Sequence, residues 1–147
     1  MRRIILDTSV VIKWFLRDED DVDGSDMLFE DFRNKKILVS EPYLIDYELS
    51  NVISLAVKRN RISLDDGAEL IDKFHSLPII KHTFTIENTI QIFHNSLNLN
   101  ISSYDSYYVT LSEYFNAPFY TADISLVKKC FGVIKNIKEL SSYKKDR

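Results

Sequence analysis

Four carboxylates, Asp7, Glu48, Asp105 and Asp123, lie far apart in this chain, each where a fold can aim it at one point. Asp7 closes the apolar run Arg3-Ile4-Ile5-Leu6, and Asp123 closes a second run, Ala117-Pro118-Phe119-Tyr120-Thr121. Asp105 opens a helix-like stretch, and Glu48 lies in the middle of another. Carboxylates gathered at one place repel one another unless a cation holds them. A divalent metal ion coordinated by oxygens is the simplest cation for that task.

Each acid also has an ordinary structural reading. Asp7 and Asp123 can cap the helices that follow them, and Asp105 can be the third residue of a helix capped by Ser102; such aspartates satisfy free backbone N–H groups. Glu48 is harder to explain this way. It lies four residues after Leu44 and four before Val52, on what reads as an apolar stripe, with Asn51 on the same face. A glutamate there costs stability unless it is paired with a cationic side chain or a metal.

The elements that must position these groups alternate from end to end. Arg3–Leu6 reads as a strand, and Val10, Val11, Trp14 and Phe15 follow at helical spacing. Met27–Phe32 suggests a helix, 37–39 a strand, and Ser40-Glu41-Pro42 a break before a helix over 43–58. Leu44, Tyr47, Val52, Leu55 and Ala56 are expected to face inward. Ser63 starts a helix to about His75 in capping-box form. Strands are expected at 77–81, 119–121 and 132–135, with helices at 85–97, 102–115 and 124–130. This β-α alternation predicts a three-layer α/β/α fold around a central, mostly parallel sheet. One domain is expected over 1–140, with 141–147 as a polar tail.

Composition sets limits. The chain has 147 residues, 45% of them hydrophobic and 28% charged, enough for one packed core. No apolar run approaches the ~18 residues of a membrane span, and the N-terminal apolar stretch is too short for a signal peptide. A single cysteine, Cys130, rules out an internal disulfide and fits a reducing cytoplasm. The formal charge of −3 is unusual for a nucleic-acid binder, but cancelling the four acids with bound cations takes it up by four, to +1. Only three glycines are present, which excludes a P-loop and a dinucleotide fingerprint. No zinc spacing links His75, His82 and His94, and Cys130 has no histidine partner in sequence. The run Glu19-Asp20-Asp21-Val22-Asp23-Gly24, with Glu30, has calcium-loop spacing, but Glu stands first where Asp is the rule, and no second loop exists to pair with it. A haloacid-dehalogenase-like phosphatase needs a second Asp where Ser9 stands.

Taken together the motifs resemble the PIN domain of metal-dependent nucleases, and most closely the VapC toxins of VapBC toxin–antitoxin pairs. Leu6-Asp7-Thr8-Ser9-Val10 resembles the opening motif, Glu48-Leu49-Ser50-Asn51 the Glu-x-x-Asn helix, Tyr104-Asp105-Ser106-Tyr107-Tyr108-Val109 the third motif, and Thr121-Ala122-Asp123 the Thr-x-Asp strand end. Ser106 and Tyr107 depart from the small residues common at those places. The resemblance spans about residues 3–135. It implies a cytoplasmic ribonuclease dependent on one or two Mg²⁺ or Mn²⁺ ions. Asp7 and Asp105 would be direct ligands, with Glu48 and Asp123 completing the pocket. Thr8, Ser9, Asn51 and Thr121 would orient the site or substrate. It also implies a homodimer and a VapB-like antitoxin whose arginine reaches the acids, with Val10-Val11-Trp14-Phe15 and Leu44-Tyr47 as candidate groove linings, core packing being the role that most of them fit better. The alternative is a PIN-fold RNA-binding module that has lost cleavage. Tyr104, Tyr107 and Tyr108 are candidate stacking platforms for unpaired bases, although helical spacing also fits Tyr108 as a core residue.

Overall fold

The computed structural model describes residues 1–147. Its elements run β1 (Arg2–Leu6), α1 (Thr8–Val11), α2 (Asp23–Arg33), β2 (Ile37–Pro42), α3 (Leu44–Lys58), α4 (Leu64–Ser76), β3 (Ile80–His82), α5 (Ile86–Asn98), α6 (Ser103–Phe115), β4 (Phe119–Thr121), α7 (Ile124–Cys130), β5 (Ile137–Glu139) and α8 (Tyr143–Asp146). The five strands form one sheet in the order β3-β2-β1-β4-β5, and every pairing is parallel. Helices cover both faces, so the layers are α/β/α. Parallel strands buried on two sides need apolar residues on both. In β1, Ile4 and Leu6 enter one core with Val10, Trp14, Leu28, Val39 and Ile53, while Ile5 enters the other with Tyr108, Val109, Phe119 and Leu126.

Local chemistry explains most boundaries. Ser63, Thr85 and Ser102 cap α4, α5 and α6 by accepting backbone N–H groups one turn on, and Thr85 forms a full capping box with Asn88. Asn116 closes α6 in the left-handed conformation at φ 47°, which asparagine tolerates. No helix is long and apolar enough to cross a membrane.

Four expectations need correction. Ser40-Glu41-Pro42 is not a break but the end of β2, where Pro42 is the last strand residue. The buried residues of α3 are Ile45, Leu49, Ile53 and Ala56, whereas Tyr47 is 76% exposed. The helix carries two apolar stripes, and the packed one is a residue out of phase with the one expected. The last strand lies at 137–139, after a turn through Gly132. The polar tail is folded: Tyr143 is fully buried and donates to Asp31 at 2.7 Å, Arg147 also reaches Asp31, and Asp146 accepts from Tyr120 and Lys138.

The acidic loop is no calcium site. Asp23 begins α2, Gly24 lies inside it, Glu19 pairs with Arg61, and Asp26 binds the Arg17 fork through two oxygens.

Candidate active site at the carboxyl edge of the sheet

From β1 the chain winds outward through β2 to β3, then crosses back to β4 on the other side of β1. The carboxyl ends of β1 and β4 therefore flank a switch point, where ligands bind in open α/β sheets. Asp7 leaves β1 there, and Thr121 ends β4 beside it.

Asp7 is 7% exposed. Its carbonyl accepts the first N–H groups of α1 from Val10 and Val11, yet its side chain makes no capping bond. The carboxylate instead takes the hydroxyl protons of Ser9 and of Thr121, the latter at 2.5 Å. Both hydroxyl oxygens are themselves oriented by backbone donors: Ser9 accepts from Ala122 N–H and Thr121 from Asp123 N–H, each at 3.0 Å. A hydroxyl has one proton to give, so both are committed to Asp7. Ser9 and Thr121 thus tie the two strand ends together through this acid.

Glu48, half-buried on α3, accepts the Tyr108 hydroxyl at 2.6 Å, and Thr8 Oγ1 lies 3.3 Å from that same oxygen. Tyr108 is buried and stacks on Phe119, so the ring is a rigid mount for the hydroxyl. Asp105 sits in the first turn of α6, where its backbone N–H donates to Ser102 Oγ at 3.0 Å. Asp123 does cap α7, accepting Leu126 N–H at 3.0 Å. Asn51 is exposed, one turn beyond Glu48.

The acids feel one another. Burial pushes Asp7 up to about 7, against the Ser9 and Thr121 bonds, and the charges of Asp105 and Glu48 push further the same way. Burial also raises Glu48, opposed by Tyr108 and reinforced by Asp105. Burial raises Asp105, opposed by a Ser102 hydrogen bond and by Lys129, with Asp123 adding. No three acidic, histidine or cysteine side chains stand close enough to hold a metal ion without rearrangement. Like charges are expected to keep such a distance until a cation lowers their repulsion. All the nearby donors are oxygens, the set that suits Mg²⁺ or Mn²⁺, and Asp7 is almost wholly withdrawn from solvent. The donor chemistry therefore fits a hard divalent ion.

Two roles escaped the sequence reading. Tyr108 is no stacking platform but a core residue, and its hydroxyl orients Glu48. Glu41 is fully buried on β2 and accepts Leu6 N–H at 2.9 Å. Strand alternation marks it, since Ile37, Val39 and Glu41 share the inward parity, but Pro42 disguised the strand. Of the expected groove linings, Val10, Val11 and Trp14 are core residues, and Phe15 packs against that core; Tyr47 alone is broadly exposed.

An open, doubly wound α/β sheet with acidic residues about its switch point is the class this architecture defines. The chain belongs to the PIN domain family, whose sequence profile matches residues 4–132. VapC ribonuclease Mb0985 from Mycobacterium bovis is 25% identical over 105 residues, covering 67% of this chain and 79% of that protein. Ribonuclease VapC9 from Mycobacterium tuberculosis matches to the same extent. Among solved structures, PAE2754 from Pyrobaculum aerophilum superposes with a TM-score of 0.72 at 12% identity, over 96% of this chain and 91% of that one. VapBC2 from Rickettsia felis, bound to a DNA fragment from their promoter, gives 0.63 at 17% identity, over 93% and 98%.

Proposed function

We propose that this protein is a VapC-type ribonuclease that cleaves RNA phosphodiester bonds with Mg²⁺ or Mn²⁺, the toxin of a toxin–antitoxin pair. The observation that carries the reading is Asp7. A carboxylate is buried at the switch point, clamped by two hydroxyls, and surrounded by Glu48 and Asp105, whose charges oppose its own. The likeness to VapC ribonucleases supports it. Asp7 and Asp105 would hold the ion, with Glu48 and Asp123 completing the pocket. Bound there, a divalent ion supplies positive charge for the phosphodiester and activates water for attack.

The chain's own residues prepare the site. Ser9 and Thr121 fix the rotamer of Asp7 by donating to both its oxygens. Tyr108, with Thr8 behind it, fixes Glu48. Asn51 is placed at the open side, where it can meet RNA. The four acids repel the substrate's phosphates when no cation is present, so cleavage is off without metal. Partners follow from the same reading: a VapB-like antitoxin, an arginine of which would fit the carboxylates through its planar fork, and a second copy of this chain.

The test is cleavage of a mixed RNA panel with Mn²⁺ or Mg²⁺, against EDTA and Asp105→Asn controls. Asparagine keeps the size of Asp105, and the backbone bond from residue 105 to Ser102 is untouched, so the variant keeps the fold and is expected to lose more than about 100-fold in rate. A fully active Asp105→Asn protein would refute the assignment. RNA binding by wild type without metal-dependent turnover would favour a non-cleaving PIN module.

A further inference from the structure

Glu41 breaks the rule of the strand that carries it. Ile37 and Val39 pack into the first core, and the next residue of that parity is a fully buried acid. Its Oε1 accepts Leu6 N–H, while its Oε2 has no hydrogen-bond partner. An unpartnered buried oxygen is costly, and a leucine or methionine would fill a similar volume without that cost but would leave Leu6 N–H unpaired. Such a violation of local consistency marks a position kept for something other than stability.

The position is specific. Leu6 is the residue before Asp7, and Ile5–Ser40 is the last pair in the β1–β2 register. The Glu41 side chain therefore grips the backbone where β1 leaves the ladder and turns into Asp7. Burial disfavours its charged form, and so do the neighbouring charges of Asp7 and Glu48.

We propose that Glu41 is a positioning residue and not a cation ligand: by accepting Leu6 N–H it fixes the backbone that aims the Asp7 carboxylate. This rests on the metal-nuclease reading of Asp7. Glutamine keeps the reach and the acceptor. Aspartate keeps the carboxyl group but is one methylene too short to reach Leu6.

The experiment compares Mn²⁺ affinity, from free Mn²⁺ counted by electron paramagnetic resonance, with kcat and KM for RNA cleavage in wild type, Glu41→Gln and Glu41→Asp. Glu41→Gln is expected within about threefold of wild type. Glu41→Asp is expected to lose about 10–100-fold in Mn²⁺ affinity or kcat, the range for groups that orient metal ligands, with KM for RNA unchanged. Glutamine failing where aspartate succeeds would make Glu41 a ligand and overturn the proposal. Two variants equal to wild type would overturn it as well. The underlying reading fails separately, if Asp7→Asn binds Mn²⁺ as tightly as wild type.

Discussion

Replacing Asp7 by asparagine should destroy activity and stabilise the fold, and the second effect has a calculable pH dependence. In cation-free protein, burial lifts the Asp7 carboxyl from 3.8 to about 7. The folded state then binds this proton more tightly than the unfolded chain. Between about pH 4 and pH 7, stability falls as pH rises, because ionisation is easier after unfolding. At about 1.4 kcal/mol per tenfold change, the loss reaches about 4 kcal/mol at neutral pH and above. Asparagine has no charge to desolvate. One of the two hydroxyls must turn to accept from its amide, at about 1 kcal/mol. The net gain for Asp7→Asn is about 3 kcal/mol at pH 8, or a Tm higher by roughly 6–12 °C for a chain of this size. Near pH 4 the advantage should vanish. The assay is thermal unfolding by circular dichroism in EDTA from pH 4 to 8, repeated with Mn²⁺. Added Mn²⁺ should raise the Tm of wild type and not of the variant. A gap that stays constant with pH, or a variant less stable at pH 8, would refute the reasoning.

Further outcomes follow from other contacts. Tyr108→Phe removes the donor to Glu48 and should lower kcat about tenfold while costing about 1 kcal/mol of stability, read by single-turnover cleavage and urea unfolding. Asp31 is almost fully buried, and bonds from Tyr143, Arg147 and Lys36 hold its carboxyl below the usual range despite burial. Asp31→Ala leaves the buried Tyr143 hydroxyl unpaired and should cost about 1–3 kcal/mol, seen as a lowered urea midpoint. A methyl group on Gly24 would meet the Leu140 carbonyl oxygen at 2.7 Å. Gly24→Ala should cost about 1–3 kcal/mol and loosen the C-terminal segment, measurable by faster amide exchange in 140–147.

Three of the four acids stood out because each borders an element with strong local signals. Asp7 and Asp123 follow short apolar runs, and Asp105 sits behind the serine cap of α6. What was not legible depends on which face meets which. The helix α3 has two apolar stripes, and only the sheet beneath it selects Ile45, Leu49 and Ile53 over Leu44 and Tyr47. Glu41 was hidden by a proline that reads as a break but stands at the end of a strand. Tyr143, alone among polar neighbours, gave no periodic signal; the core and Asp31 draw it in across 112 positions of sequence.

The place of β1 in the sheet has a consequence for synthesis. β1 is the first strand made and the central one, so one of its edges pairs with β2 soon after emergence. Its other edge waits for residues 119–121. At about 5–20 residues per second, that edge stays open for on the order of ten seconds on the ribosome. Parallel pairings this distant in sequence are slow to close. The same delay leaves the Asp7 clamp unfinished, since Thr121 arrives with β4. A nascent chain therefore carries an incomplete active site and a vulnerable strand edge until its last third is made.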